Sequence, residues 1–203
     1  MIEQRSEAWF SQRLGLCTAS KFRAVISKLK SGKPAQARID YAIELVTERL
    51  SGQPCPHFTT AAMQRGVDLE PAARIEYEFK KSIEVLETGF VRHPSLMTGA
   101  SPDGLVGDDG LIEIKCPSST AQVQTWINGM PEDHVSQVQG QLWITGRAWC
   151  DFVSFDDRLP KNLQLYVQRV ERDDIFIANL DLEVRGFLDE VADLESQLRG
   201  KAI

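Results

Sequence analysis

The amino-acid sequence predicts one domain, residues 1–203, of the α/β or α+β class, with a central mixed β-sheet flanked by helices. Apolar residues recur at helical spacing before about residue 81 and after about residue 173, and strand-like runs separated by turns lie between. The hydrophobic fraction of 42% and the charged fraction of 26% are typical of a globular chain that buries a single sizeable core.

Helices dominate the first part of the chain. We predict them at about residues 6–15, 20–29, 35–50 and 59–81. Ser6 starts the first helix, Thr18 or Ser20 is expected to cap the second, and Pro71 is expected to break or kink the fourth. The lysine-containing segment 31–34 between the second and third helices is predicted to be an exposed loop.

Strands and helices alternate in the rest of the chain. We predict strands at about residues 83–92, 97–106, 111–116, 149–155 and 163–170. We predict helices at about residues 118–129, 135–145 and 173–198. Residues 107–110, Gly-Asp-Asp-Gly, are expected to form the tight turn between the second and third strands. Because helices precede and follow the strands, the sheet should lie between helices.

The charge of the chain is unevenly distributed. The net charge is −6, which by itself argues against a nucleic-acid partner. The segment from Ala8 to Ile39 nevertheless contains no acidic residue, and its seven basic residues are Arg13, Lys21, Arg23, Lys28, Lys30, Lys33 and Arg38. A basic segment on an acidic body can neutralise phosphates, although taken alone it fits a solvated surface equally well.

The cysteines do not form a metal-binding pattern. Cys17, Cys55, Cys116 and Cys150 include no C-x-x-C pair, so we expect reduced thiols rather than a zinc site or an iron–sulfur cluster. The polar N-terminal sequence MIEQRSEAW cannot be the core of a signal peptide, and no apolar run is long enough to span a bilayer. We therefore expect a cytoplasmic protein without a membrane partner.

One stretch carries residues suited to metal-dependent chemistry. Asp103 ends a predicted strand, and Glu113 and Lys115 lie two residues apart on the next strand, so that their side chains leave the same face. Ile112 and Ile114 then point towards the core and set the register of the strand. A hairpin would bring Glu113 and Lys115 beside Asp103.

The chemistry expected of these three side chains is phosphate hydrolysis. Two carboxylates suit a hard divalent cation such as Mg²⁺ or Mn²⁺, which would activate water and neutralise charge on a phosphate. Lys115 could orient the nucleophile or stabilise the developing charge. The alternative is that Glu113 and Lys115 form an exposed cross-strand pair on a solvated face of the sheet.

Four sequence blocks carry a family resemblance. They are Arg13-Leu-Gly-Leu-Cys-Thr-Ala-Ser20, Met63-Gln-Arg-Gly66-Val-Asp-Leu-Glu70, Ser101-Pro-Asp103-Gly104 through Glu113-Ile-Lys115-Cys-Pro, and Gln137-Val-Gln139-Gly-Gln-Leu-Trp. In this order they resemble the lambda exonuclease or YqaJ group of phage recombination nucleases, within the PD-(D/E)xK superfamily. The resemblance covers roughly residues 5–155 and implies a restriction-endonuclease-like core, whereas no motif matches after about residue 159.

The resemblance implies a metal site at the matching positions. Asp103, Glu113 and the carbonyl group of Ile114 would bind the metal. Lys115 would be the catalytic lysine, and Glu70 would help to hold a second ion or the attacking water. The implied cofactor is Mg²⁺, with two ions per site and Mn²⁺ as a substitute.

The resemblance also implies a phosphate site and a glutamine in the active site. Arg13 and Ser20 would bind the 5′-phosphate of a DNA end, whereas Ser20 considered alone would be a plain helix cap. Gln137 and Gln139 lie two residues apart on a predicted helix, so only one of them should face the active site. We favour Gln139, because its spacing to Trp143 keeps that aromatic ring on the same face.

The function implied by the resemblance is 5′→3′ degradation of one strand of linear double-stranded DNA. The remaining 3′ overhang would pass to a single-strand annealing protein during phage-type homologous recombination. The enzyme would form a homotrimeric ring in the cytoplasm of a bacterium that carries the phage or prophage. The loop from Lys28 to Pro34, with Lys30 and Lys33, is expected to part the strands.

The sequence leaves three alternative functions to weigh. A structure-specific or sequence-specific endonuclease could use the same metal site, although the block from Arg13 to Ser20 indicates recognition of DNA ends. A non-catalytic DNA-binding or scaffold protein would be expected to have lost Asp103, Glu113 or Lys115. An iron–sulfur nuclease of the same superfamily would need clustered cysteines.

Overall fold

The computed structural model describes residues 4–56 and 59–201. Helices and short strands are interspersed along these residues. The helices are α1 Glu7–Arg13, α2 Phe22–Val25, α3 Gln36–Ser51, α4 Ala61–Lys81, α5 Ser119–Asn128, α6 Val135–Thr145, α7 Lys161–Gln164 and α8 Asp174–Lys201. The strands are β1 Cys17–Thr18, β2 Val91–Arg92, β3 Thr98–Ala100, β4 Gly104–Val106, β5 Gly110–Lys115, β6 Trp149–Phe155 and β7 Leu165–Glu171. Within the described ranges, no helix has the length and apolar character required to cross a membrane.

The strands form two mixed sheets. In the first sheet the order is β1-β3-β2, with β1 parallel and β2 antiparallel to β3. In the second sheet the order is β4-β5-β6-β7, and its three pairs are antiparallel, parallel and antiparallel in turn. Helices flank these sheets, which confirms the predicted α+β class with mixed strands, although the strands are divided between two sheets.

The single strand predicted at residues 97–106 is wrong, because β3 and β4 belong to different sheets. Pro102 has no backbone N–H to donate and interrupts the ladder. Asp103 follows, and its N–H donates to the carbonyl of Ile112 (3.1 Å) while its Oδ2 accepts from the N–H of Ile114 (2.6 Å). The break therefore fixes Asp103 against the edge of β5.

The helix predicted at residues 20–29 is confirmed only as far as Val25. A 3₁₀ turn, Ala19–Lys21, precedes the single turn of α2, and neither Thr18 nor Ser20 accepts a capping hydrogen bond through its side chain. The carbonyl of Val25 accepts a hydrogen bond from a guanidinium group of α3 instead of from a further turn of helix. A tertiary contact therefore ends α2 early.

The region around α4 differs from the prediction in two ways. Pro71 lies inside α4 without ending it, whereas Thr60 caps the start of the helix by accepting from the N–H of Met63 (3.2 Å). The strand predicted at residues 83–92 is reduced to β2 and one isolated bridge of Leu86 to β4. Irregular chain occupies the remainder of that segment.

Strand β5 lies between α4 on one face and α6 on the other. Ile112 and Ile114 belong to a buried cluster with Tyr77 of α4, as their spacing predicts. Leu111, on the opposite face, packs with apolar side chains of α6. Because side chains alternate along a strand, Glu113 leaves β5 on the same face as Leu111 and points towards α6.

Asp156, which follows β6, is a buried carboxylate held by two arginines. It has no exposed surface, and its Oδ1 accepts from Arg65 of α4 (2.8 Å) and from Arg158 (2.7 Å). Burial alone would raise the pKa of Asp156, but hydrogen bonds from Arg158 and Ser119 outweigh it and lower the pKa to about 2.

This depressed pKa predicts acid sensitivity of the fold. Since the folded-state pKa lies below the unfolded value, Asp156 should stabilise the protein above about pH 4 and lose this contribution as the pH falls towards 2. We expect the free energy of unfolding to fall over this range by on the order of 1–2 kcal/mol more in wild type than in Asp156→Asn. Urea denaturation at stepped pH measures this difference; equally steep profiles for the two proteins would contradict it.

Candidate active site

Asp103, Glu113 and Lys115 converge at the end of β5, as the hairpin predicts. The antiparallel pairing of β4 with β5 places Gly104 opposite Ile112, so the preceding residue, Asp103, lies beside Glu113. The ammonium group of Lys115 forms an ion pair with Oε1 of Glu113. Three polar side chains thus meet at one end of the second sheet.

Glu113 is the most enclosed of these groups. It is 2% exposed, and both of its carboxylate oxygens are hydrogen-bonded by side chains of α6. Gln137 Nε2 donates to Oε1 (2.5 Å), and Gln141 Nε2 donates to Oε2 (2.5 Å). The alternative of an exposed cross-strand pair of Glu113 and Lys115 is therefore excluded.

The electrostatics of the site are those of crowded carboxylates, of which Glu113 and Glu70 are buried and Asp103 is partly buried. Burial is the largest cause that raises the pKa of Asp103 well above its ordinary value, and the negative charges of Glu113 and Glu70 raise it further. Burial alone would lower the pKa of Lys115, but Glu113 and Asp103 outweigh it and raise that pKa. Lys115 therefore stays positively charged at neutral pH, while Asp103 is destabilised as an anion.

Glu70 comes to the same site from α4. Glu70 is 9% exposed, and its negative charge contributes to the raised pKa of Asp103. Oε2 of Glu70 accepts from Arg5 (2.5 Å), and Oε1 lies 3.6 Å from the guanidinium group of Arg74. The structure therefore joins Glu70 to the other predicted site residues and pairs it with cations.

The oxygen atoms at this site are of the chemical kind that binds a divalent cation. Carboxylates of Asp103, Glu113 and Glu70 and the carbonyl of Ile114 are oxygen donors of the kind that Mg²⁺ binds. A cation would also relieve the repulsion that raises the pKa of Asp103. As they stand, Glu113 and Glu70 are paired with cationic side chains, and the described ranges contain no three His, Cys, Asp or Glu side chains arranged to hold an ion. An ion would have to displace those cations.

A cavity of about 90 Å³ adjoins the carboxylates, and its walls include Arg13, Ser20, Ser101, Gln137 and Gln141. Strands β1 and β3 pair in parallel, which brings the block that ends at Ser20 beside Ser101. The guanidinium group of Arg13 stacks on Trp9, 3.8 Å from the ring centroid, and burial lowers its pKa. The predicted phosphate ligands thus line one polar cavity next to the site.

This fold and this site can be compared with known proteins. Residues 8–148 match the model of the YqaJ-like viral recombinase domain. The chain belongs to this family. Two crystal structures of an alkaline exonuclease, LHK-Exo from Laribacter hongkongensis, are 45% identical and superpose with TM-scores of 0.91, for the complex with dAMP, and 0.90. Each of these matches covers 97% of the present chain and 98% of the exonuclease chain.

A more distant structure has the same fold. A phage-related exonuclease from Haemophilus somnus is 17% identical, with a TM-score of 0.71 over 90% of the chain and 96% of its own length. A comparison with curated proteins found no match. Together the matches confirm the family resemblance and the PD-(D/E)xK fold class of this YqaJ-like domain.

The preference for Gln139 over Gln137 as the glutamine that faces the site is wrong for this YqaJ-like domain. Gln139 is 4% exposed, its Nε2 donates to the carbonyl of Glu171 (2.9 Å), and its Oε1 accepts from the N–H of Asp173 (2.9 Å). It therefore joins α6 to the end of β7, whereas Gln137 contacts Glu113. Two residues on a helix differ by about 200° in direction, so both cannot face β5.

Replacing Gln139 should mainly reduce stability, whereas replacing Gln137 should mainly reduce activity. Gln139→Met should lower the free energy of unfolding by about 1–3 kcal/mol, because two buried backbone groups lose their partner. Gln137→Met should instead lower the turnover of folded protein by at least about tenfold, with a smaller loss of stability, because it releases Glu113. Denaturation and nuclease assays of both variants measure this contrast. The reverse pattern would contradict the orientation assigned to α6.

Gln141 and Arg5 are site residues that sequence reasoning missed. Gln141 lies four residues after Gln137, and this spacing places both side chains on one helix face, so the signal was present in the sequence. Arg5 reaches Glu70 across 65 positions of the chain, and no local pattern predicts such a contact.

Proposed function

We propose that this YqaJ-like domain is a divalent-metal-dependent exonuclease that degrades one strand of linear double-stranded DNA from its 5′ end and leaves a 3′ overhang. The observation that carries the proposal is the adjacency of two sites. The carboxylates at the end of β5 share Gln137 with the cavity that Arg13 and Ser20 line. Near-complete coverage by an alkaline exonuclease at 45% identity supports the nuclease part of the proposal.

Each side chain at the end of β5 has a chemical task in hydrolysis. Asp103, Glu113 and the carbonyl of Ile114 would hold Mg²⁺ or Mn²⁺, and Glu70 would contribute to a second ion. When bound, the ion lowers the pKa of a water molecule and offsets the charge of the phosphate. Lys115, which Glu113 keeps protonated, would donate a hydrogen bond to the attacking water or to the phosphate.

The cavity supplies recognition of a DNA end. Arg13 is partly buried, and a guanidinium group partly removed from water interacts with an anion more strongly than a fully solvated one does. Ser20 and Ser101 add hydroxyl donors at the same wall. The cavity, of about 90 Å³, has room for a phosphate group.

The proposal can be tested with linear duplex DNA labelled at either the 5′ or the 3′ end, incubated with Mg²⁺ or with EDTA. We expect Mg²⁺-dependent release from 5′ ends and an intact closed circular control. Cutting of the circle would assign the domain to an endonuclease. Bound but uncut DNA with every divalent metal would assign it to a non-catalytic DNA-binding protein.

Arg13→Met is expected to weaken recognition of the 5′-phosphate. Loss of a charged hydrogen-bond donor should lower kcat/KM for 5′-phosphorylated duplex by about 10- to 100-fold, chiefly through KM. Duplex with 5′-hydroxyl ends should be affected much less. Arg23→Met, an exposed arginine of the same basic segment, is the matched control. Equal losses with both kinds of end would contradict a role of Arg13 in binding the phosphate.

Assembly and partners follow from the same proposal. We propose a homotrimer in the cytoplasm of a bacterial host, with the 3′ overhang passed to a single-strand annealing protein. Membership of a viral recombinase family supports this role. The loop from Lys28 to Pro34 is exposed, and its part in separating the strands stays a prediction.

A further inference from the structure

The guanidinium group of Arg5 occupies a carboxylate oxygen of Glu70 that a metal ion would use. It donates to Oε2 of Glu70 (2.5 Å), and the guanidinium group of Arg74 lies 3.6 Å from the other oxygen. Lys115 is paired with Glu113 in the same way. Side chains of the protein itself therefore balance these carboxylates, and a divalent ion can reach Glu70 only by taking the place of an arginine.

Of the two arginines, Arg5 is the one that can leave Glu70 at smaller cost. The side chain of Arg74 is 15% exposed, lies one helical turn after Glu70 on α4 and also pairs with Glu87. The side chain of Arg5 is 43% exposed and belongs to a segment outside the helices and strands. A guanidinium group that is already partly hydrated loses less than a buried one does when its ion pair is broken.

The chain on both sides of Arg5 is fastened, so its side chain can move while the backbone stays in place. Gln4 Nε2 donates to the carbonyl of Pro102 (2.8 Å), and Trp9 Nε1 donates to Ser101 Oγ (3.0 Å). Both acceptors lie on the segment that leads into the carboxylate site. Arg5 also borders a second cavity, of about 570 Å³, between α1, α3 and α4. This cavity gives a released guanidinium group room.

We propose that Arg5 competes with the metal ion for Glu70 and thereby sets the metal concentration that the enzyme needs. The inference rests on the function proposed above, in which Glu70 contributes to a second ion. Without metal, Arg5 offsets the charge of Glu70, which otherwise acts on Asp103. Because Arg5 and the ion exclude each other at one oxygen, replacing Arg5 should strengthen the binding of that ion. An ion held by Asp103 and Glu113 should be affected much less.

The test is calorimetric titration of Ca²⁺, used as the probe cation, into wild type, Arg5→Met and Arg5→Lys without DNA. Methionine removes the charge, whereas lysine keeps a cation on a flexible side chain. Arg185→Met is the matched control, because the side chain of Arg185 is 49% exposed and pairs with Asp181 on α8. Arg5→Gly is a second variant without the charge. It suits the backbone, since the φ of Arg5 is 68°, a conformation that favours glycine.

We expect the weaker of two Ca²⁺ ions to bind about three- to tenfold more tightly in Arg5→Met and Arg5→Gly than in wild type. Arg5→Lys and Arg185→Met should bind it as wild type does. In Glu70→Gln the weaker ion should be lost, and adding Arg5→Met should then change nothing. Loss of a merely structural contact would not strengthen metal binding. The Mg²⁺ concentration for half-maximal DNA digestion should fall in Arg5→Met by the same factor.

Unchanged or weaker Ca²⁺ binding in folded Arg5→Met and Arg5→Gly would overturn the inference, as would an equal gain in Arg5→Lys or Arg185→Met. A single bound ion in every protein would also overturn it. Digestion of end-labelled linear duplex by wild type, measured in parallel, tests the proposed function separately. Digestion without any gain in Ca²⁺ affinity would leave that function standing and remove the role of Arg5. Absence of digestion with every divalent metal would overturn the proposed function and the inference together.

Discussion

Replacing Lys115 with Met should reduce end-dependent DNA digestion by about 10²- to 10⁴-fold. The ammonium group contacts Glu113, and the carboxylates of Glu113 and Asp103 keep it protonated despite its partial burial. Methionine has a similar length without a charge, so the change removes the donor while the space stays filled. Single-turnover release of label from 5′ ends measures the loss directly.

The control for this change is Lys161→Met, because the side chain of Lys161 is 84% exposed and lies on α7. Its digestion rate should equal that of wild type. DNA binding by Lys115→Met should also persist, since Arg13 and the cavity are unchanged. If folded Lys115→Met digests DNA at a rate within tenfold of wild type, Lys115 has no catalytic role.

Asp103→Asn should stabilise the metal-free protein and abolish its response to Mg²⁺. Burial and the charges of Glu113 and Glu70 raise the pKa of Asp103, so its anionic form is unfavourable at neutral pH. For an acid with a raised pKa, the destabilisation is present above the folded-state pKa, and a neutral amide removes it. We expect Tm in EDTA to rise by on the order of 2–4 °C. Mg²⁺ affinity and digestion should fall by at least about 100-fold.

Thermal melting with and without Mg²⁺ measures both effects, and Asp156→Asn is the matched control. Asp156 is a fully buried carboxylate, but hydrogen bonds from Arg158 and Ser119 lower its pKa, so its replacement should reduce Tm with or without Mg²⁺. A lower Tm for Asp103→Asn in EDTA, or an undiminished rise with Mg²⁺, would contradict Asp103 as a strained metal ligand.

Local patterns in the sequence predict most of the carboxylate site. Side chains alternate along a strand, so the spacing of Glu113 and Lys115 places both on one face and the intervening Ile114 in the core. The turn at residues 107–110 places Asp103 beside them. These relations depend on contacts within about a dozen residues, which the sequence encodes directly.

The sequence predicted less well which face of each helix is buried. Periodicity predicted α3 within a residue or two, but Ile43 is 55% exposed while Arg38 and Glu48 of the same helix are buried. For α6, the pattern could not tell which of Gln137 and Gln139 faces β5. The buried face depends on what packs against the helix, and neighbours distant in sequence decide that.

The sequence by itself determined the residue types of the site, the hairpin that joins Asp103 to Glu113, and the family. Only the tertiary structure decided that the cavity of Arg13 and Ser20 lies against those carboxylates, because parallel pairing of β1 with β3 joins segments about 80 residues apart. It also showed that Arg5 donates a hydrogen bond to Glu70 and that Gln141 donates one to Glu113. Such contacts form between surfaces that exist only after the chain has folded, so the spacing of residues along the sequence does not predict them.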